Sequence, residues 1–402
     1  MPEPRSIGAS TDGIELTAEL DWTLSRAFGR PAPSRGNAFE GGEAVSIAGR
    51  LGLLPRIVHI LGPARLAAEL GEAAARDALA EYRTSALVSA RLVALARLVG
   101  RAAARSGVRV VALKHVALCL SGVSDAAARG SADADVLVAD ADAPRLLREL
   151  RRARVTETDA PSYDHQHSPL VHPQAGMLEL HRTLPGVRPS PGAPELSLTP
   201  LVALGLTEPP DATAPSLLLP RPHVLLAHAL AHALYQHGLA PGAYPPFKVL
   251  ADAADLRRSA GEGLIRDALP LVAAEVDARD ARAAWELPSL LAAEGAAAVL
   301  ARGRAPEARL LAHFLFGAVD PGYGDALKLR SAATLPSDRG GIAGLLRWAW
   351  HAVPISPAQA RVLYGADTRA RYFFALARRP FHLAGKLVRY LRAAERGGAL
   401  RR

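Results

Sequence analysis

The chain has 402 residues, half of them hydrophobic and 22% charged, a globular composition long enough for two or three domains. A single cysteine, Cys119, excludes an intrachain disulfide and a cysteine-based metal centre. The net charge of +9 has the size of a nucleic-acid signal, but Arg369 to Arg402 hold ten Lys/Arg and one acid, Glu395, so the body is neutral.

Much of the apolar content is Ala and Leu, which favours a mainly helical protein. Met1 to Arg30 lacks a basic segment followed by an apolar core, and no run of about eighteen uncharged apolar residues occurs. A cytoplasmic location is therefore the expectation.

Residues 1–105 read as a helical region. Ala64 to Leu79 and Glu81 to Ala104 are nearly free of Gly and Pro, and Leu87, Leu92, Leu95 and Leu98 form a candidate packing stripe. Ser106-Gly107 ends the helix, and Val108 to Leu113 reads as a strand. Lys114-His115 is expected to turn the chain into a short helix, Val116 to Leu120. A loop, Asp125 to Gly130, leads to an acidic strand at 132–138. Asp142 and Pro144 are the expected N-cap and first turn of the next helix, with Leu146, Leu147 and Leu150 on its inner face. The stretch Tyr163 to His167 precedes a hairpin of Pro169 to His172, a turn at 173–176, and Met177 to Leu184.

Residues 185–222 are rich in proline and read as a connection. A second helical region follows to about Leu345, with His228, His232, His237, Asp252 and Asp255. His228 and His232 have the four-residue spacing of metal ligands, but no Glu completes a His-Glu-x-x-His pattern, so helix packing is preferred. The tail, Tyr372 to Arg396, has helical apolar spacing with Arg and Lys between. It would suit nucleic acid or an anionic membrane, but the plainer expectation is packing by Phe and Leu with Arg exposed.

The chemistry concentrates at Asp133-Ala-Asp135. Residues i and i+2 of a strand face the same way, so both carboxylates share one face and call for a cation. Glu179, on the hairpin strand with His181, is placed to join them. Three carboxylates around a cleft form a cage for two Mg²⁺ ions about 3.5–4 Å apart.

These residues carry a resemblance. Val110-Val-Ala-Leu-Lys114, Arg129-x-x-x-Asp133-x-Asp135-x-Leu-Val138 and Leu178-Glu179-Leu180-His181 are similar to segments of the bacterial nucleotidyltransferase-like family, within the polymerase-β-type nucleotidyltransferases. Leu-Leu-x-His-x-x-x-His at 225–232 and Arg378-Arg-Pro380 also fit. The resemblance implies an α+β fold, in which a small mixed-sheet polymerase-β-like core at 106–200 is flanked by helical regions at 1–105 and 201–345 and a basic tail at 346–402. It implies Mg²⁺-dependent transfer of a nucleoside monophosphate from a nucleoside triphosphate to a small-molecule or peptide acceptor, in a natural-product setting. Asp133, Asp135 and Glu179 would bind metal, with Glu179 also helping to deprotonate the acceptor. Lys114, Arg129, Ser131 and His181 would contact the nucleotide. His115 and Ala132 stand where the family has glycine, and the His115 imidazole is expected to crowd the phosphate. The rival expectation is a catalytically silent binding or accessory protein. His165, His167 and His172 cluster at the hairpin, and Cys119 is expected to be an inert buried thiol.

Overall fold

A computed structural model describes residues 16–31, 39–158, 165–208, 212–236, 246–319 and 368–396. Tyr163, His237 and the tail portions 346–367 and 397–402 lie outside the described residues. Four helices open the fold: α1 (Ala18–Ala27), α2 (Gly41–Arg50), α3 (Leu54–Leu70) and α4 (Glu72–Ser106). The break between α3 and α4 falls at Gly71, whose φ of 82° interrupts the helix, and not near Ala80 as the periodicity predicts. Helix α4 then runs 35 residues with no Pro and Gly100 as its one glycine, and Gly107 caps it in the left-handed conformation. Leu92, Leu95, Ala96, Val99 and Ala103 form its buried stripe, while Leu87 at the predicted edge is 52% exposed. Each fully buried leucine there contributes about 2–5 kcal/mol relative to alanine.

The strands are β1 (Val110–Ala112), β2 (Asp133–Val138), β3 (Thr156–Glu157), β4 (Leu170–His172), β5 (Gly176–His181), β6 (Thr207–Glu208) and β7 (Leu217–Pro220). Helices α5 (Lys114–Leu120), α6 (Ala143–Arg152) and α7 (Leu198–Ala203) lie between them. The seven strands form one mixed sheet in the order β3-β4-β5-β2-β1-β7-β6. β1 is antiparallel to β2 and parallel to β7, while β2 runs parallel to β5. The predicted hairpin is β4–β5, with Leu170 opposite Leu178. His172 holds its turn by accepting from the Gln174 and Ala175 N–H groups.

The proline-rich stretch is not a bare connection. It supplies α7, β6 and β7, and β7 extends the sheet beyond β1. Helix α4 crosses this strand closely: a Cβ at Gly100 would meet the Ala214 and Leu217 side chains at 2.7 and 2.8 Å. Asp142 and Pro144 begin α6 as predicted, but Asp142 makes no side-chain cap and instead accepts from Arg145.

Helices α8 (Pro222–Ala231), α9 (Pro246–Ala260), α10 (Leu264–Val272), α11 (Ala278–Ala293), α12 (Ala296–Ala301) and α13 (Pro306–Val319) follow, with a π-helical turn at His232–Gln236 after α8. Helix α8 packs on α9, α10 and α5. The last described element is α14 (Arg369–Arg396). One hydrophobic cluster joins the first helices, the sheet and the later helices, from Leu20 to Leu315. No described helix is long and apolar enough to cross a membrane.

Candidate functional site

The site is built where β2 and β5 run side by side. Their parallel register pairs Asp135 with Glu179 and Leu137 with His181. Ala134, Val136, Leu178 and Leu180 fill the opposite face and are fully buried. The alternation of the pleat therefore turns Asp133, Asp135, Glu179 and His181 to one side. Asp135 is 1% exposed, and Asp133 and Glu179 are half-buried.

Lys114 reaches this face from the end of β1. Leu113 is extended and its N–H donates to the Asp135 carbonyl at 2.9 Å, which fixes the chain beside β2. Lys114 then takes a left-handed φ of 47° as α5 begins, so the expected turn is a helix start. A side chain in that conformation costs roughly 1–2 kcal/mol. The Lys114 Nζ lies 2.6 Å from Asp135 Oδ1, and this contact offsets the strain. The His181 Nε2 lies 2.9 Å from the same oxygen and 3.6 Å from Glu179 Oε2. Ser131 Oγ donates to Asp133 Oδ1 at 3.3 Å.

The electrostatics follow from three acids facing two cations. Burial, then the neighbouring Asp135, with Glu179 adding to both, pushes the Asp133 carboxyl up to about 6 against the pull of Lys114. Burial works against an ionised Asp135, but Lys114 and His181 reverse it and hold this carboxyl below the usual range. Burial opposes charge on Lys114 and His181 as well. Asp135, with Asp133 and Glu179, raises Lys114, while hydrogen bonds to Asp135 and Glu179 raise His181. The face is thus anion-rich even with both cations in place.

Ligand atoms of Asp135, Glu179 and His181 lie within 4.8 Å of one another, a spacing that a metal ion can bridge. Asp133 stands outside this compact group, one step along the strand. The donor set nevertheless fits a hard divalent cation: Asp133, Asp135 and Glu179 offer oxygens, which Mg²⁺ prefers. His181, whose Nε2 lies against both Asp135 and Glu179, is placed to orient these carboxylates, and it would ligate a metal only as the neutral ring.

Arg129 goes elsewhere. Its guanidinium is buried and grips Asp252 of α9 through two bonds, Nε to Oδ1 at 2.6 Å and Nη2 to Oδ2 at 3.0 Å. Burial raises the Asp252 carboxyl and Arg129 opposes it; the two-pronged geometry is that of an ionised pair. Lys248 of the same helix donates to the Gly130 carbonyl at 3.2 Å, and burial lowers its pKa to about 8. Asp255 meets Arg56 and Arg258, each at 2.8 Å, and Ser124 at 3.1 Å. Helix α9 thereby clamps the loop that delivers β2. Asp252-Ala-Ala-Asp255 reads in the sequence as an ordinary charged helix face, and only the folded pairing over 123 residues exposes its role.

His115 does not crowd the site. Its imidazole is fully enclosed, 3.6 Å from Cys119 Sγ, and burial pushes its pKa down to about 3. The residue after Lys114 points into the core, so a side chain is accommodated there. The Cys119 thiol is partly exposed rather than buried as expected, and its surroundings raise its pKa to about 12, which disfavours the thiolate. His228 and His232 are buried with their rings 6.2 Å apart, and they line a small cavity behind Lys114 with Arg129 and Asp252. Burial drives His228 down to about 3, so it is neutral, as helix packing requires.

With the geometry in hand, one comparison decides the family. A family model described as an uncharacterised nucleotidyltransferase matches residues 37–292. The chain belongs to this family. No curated protein and no solved structure matches the chain. The matched span of the nucleotidyltransferase family runs from before α2 to the end of α11. It thus includes β2 and β5 with their acids and α9 with Asp252. Membership supports nucleotidyl transfer as the general activity.

Proposed function

We propose that the β2–β5 acids carry a Mg²⁺-dependent transfer of a nucleoside monophosphate from a nucleoside triphosphate to a hydroxyl of a small molecule or peptide. The observation that carries this reading is the cross-strand pairing of Asp135 with Glu179, beside Asp133, on one anion-rich face. Asp133, Asp135 and Glu179 would hold the cation. When bound, Mg²⁺ supplies charge neutralisation for the triphosphate and for the displaced pyrophosphate. His181 holds Asp135 and Glu179 in place by hydrogen bonding. Lys114, already an ammonium beside Asp135, offers positive charge to a phosphate oxygen. Glu179 accepts the proton of the acceptor hydroxyl as its oxygen attacks the α-phosphorus and the bond to pyrophosphate breaks. Arg129 supports the site by holding the preceding loop to α9, which replaces the direct phosphate contact suggested by the sequence.

One observation favours the silent binding or accessory reading. Lys114 and His181 both engage Asp135 Oδ1, so that oxygen must exchange a partner before it can ligate. Nucleotide binding with and without Mg²⁺, repeated on Asp133→Ala/Asp135→Ala, separates the two. Transfer chemistry predicts binding that needs the metal and is lost in the variant. Binding indifferent to both would favour the accessory role.

A further inference from the structure

The basic excess of the chain and its exposed aromatic surface coincide on α14. This 28-residue helix contains eight Arg/Lys and one Glu, a net of +7 in an otherwise balanced protein. Phe373, Phe374 and Phe381 are 66%, 69% and 78% exposed, which contradicts the expectation that these rings pack inward. At about 100° per residue, Phe373, Ala377, Phe381 and Phe374 fall within an arc of about 100°. All four are exposed, whereas Ala375, on a different side of the helix, is buried. The exposed Arg371 and Arg378 lie along the border of this arc, just beyond Phe374.

Three exposed phenyl rings on one strip are costly in water and useful only against an apolar phase. Arginines bordering that strip match negative charge at the edge of such a phase. Duplex nucleic acid would be met by the arginines alone, while a single strand, whose bases can stack on phenyl rings, is separated from a membrane by the test below. We infer that α14 docks on an anionic phospholipid surface, lying in the interface with Phe373, Phe374 and Phe381 inserted and Arg371 and Arg378 at the headgroups.

Flotation of the full chain with phosphatidylcholine vesicles, with and without phosphatidylglycerol, tests this. The protein is expected to float with the anionic vesicles and to stay behind with the neutral ones. Phe373→Ser/Phe374→Ser/Phe381→Ser changes only exposed positions and is expected to lower partitioning by about a hundredfold or more. Arg371→Gln/Arg378→Gln is expected to lower it about tenfold. Absence of flotation, or a triple-Phe variant that floats like the wild type, overturns the inference. So does a vesicle-free, concentration-dependent dimer that the triple-Phe change abolishes, because the strip would then be covered by a second copy. Duplex or single-stranded nucleic acid bound through the same phenylalanines, without vesicle binding, also overturns it.

Discussion

Two clusters of acids lie near one another in this fold and behave oppositely. On the shared face of β2 and β5, Asp133, Asp135 and Glu179 meet Lys114 and His181, so carboxylates outnumber cations. Behind it, Asp252 and Asp255 meet Arg129, Arg56 and Arg258, with Lys248 alongside, so cations outnumber carboxylates. Both clusters are short-spaced Asp pairs in an alanine-rich chain. The difference teaches that charge balance, more than acid count, separates a candidate cation site from a structural clamp. Burial raises both Asp133 and Asp252; at Asp133 the neighbouring Asp135 and Glu179 add to the rise, whereas Asp252 is bridged by Arg129 through two bonds.

Removing one carboxylate from each cluster should therefore act in opposite directions. The larger effect belongs to the clamp. Asp252→Ala leaves the Arg129 guanidinium buried without its partner and is expected to cost about 3–5 kcal/mol, read as a lower urea midpoint with unchanged slope. A loss below about 1 kcal/mol would mean that the pair is not a structural clamp.

The smaller effect belongs to the β2–β5 face. The folded-state pKa of Asp133, about 6, exceeds the ordinary 3.8, so the folded protein holds more protons between these values. Metal-free stability must then fall as pH rises from about 4 to about 6, and stay lower above that range. Asp133→Asn is expected to flatten this part of the profile and to stabilise the chelator-treated protein by about 1 kcal/mol at neutral pH. Thermal melts across pH check this, and a destabilised Asn variant would break the contrast between the clusters.

Much of this site was legible because strand chemistry is local. Asp-x-Asp running into Val-Leu-Val fixes which side chains share a face, and Leu-Glu-Leu-His does the same for its neighbour. That Glu179 stands on a strand beside Asp133 and Asp135 followed the sequence expectation; the register that sets it opposite Asp135 comes from the fold. What stayed hidden depends on long-range partners. Nothing near Arg129 announces Asp252, and nothing near His115 says that its ring turns toward Cys119. Strands β6 and β7 hid in a proline-rich stretch because a short strand leaves too few residues for a period to show. The break at Gly71 was missed because an alanine-rich helical pattern continues on both sides of it. The exposure of the α14 phenylalanines was likewise invisible to spacing, since an apolar stripe reads alike whether it faces a core or an interface.

The central claim is that the β2–β5 acids gather a divalent cation while the clamp does not. Crystals grown with Mn²⁺ and a non-hydrolysable nucleoside triphosphate analogue test it through the anomalous signal of the ion. The account predicts a peak coordinated by carboxylate oxygens of Asp133, Asp135 and Glu179, against the triphosphate. A peak at Asp252 or Asp255, or a bound nucleotide with no ion at the β2–β5 face, would contradict it.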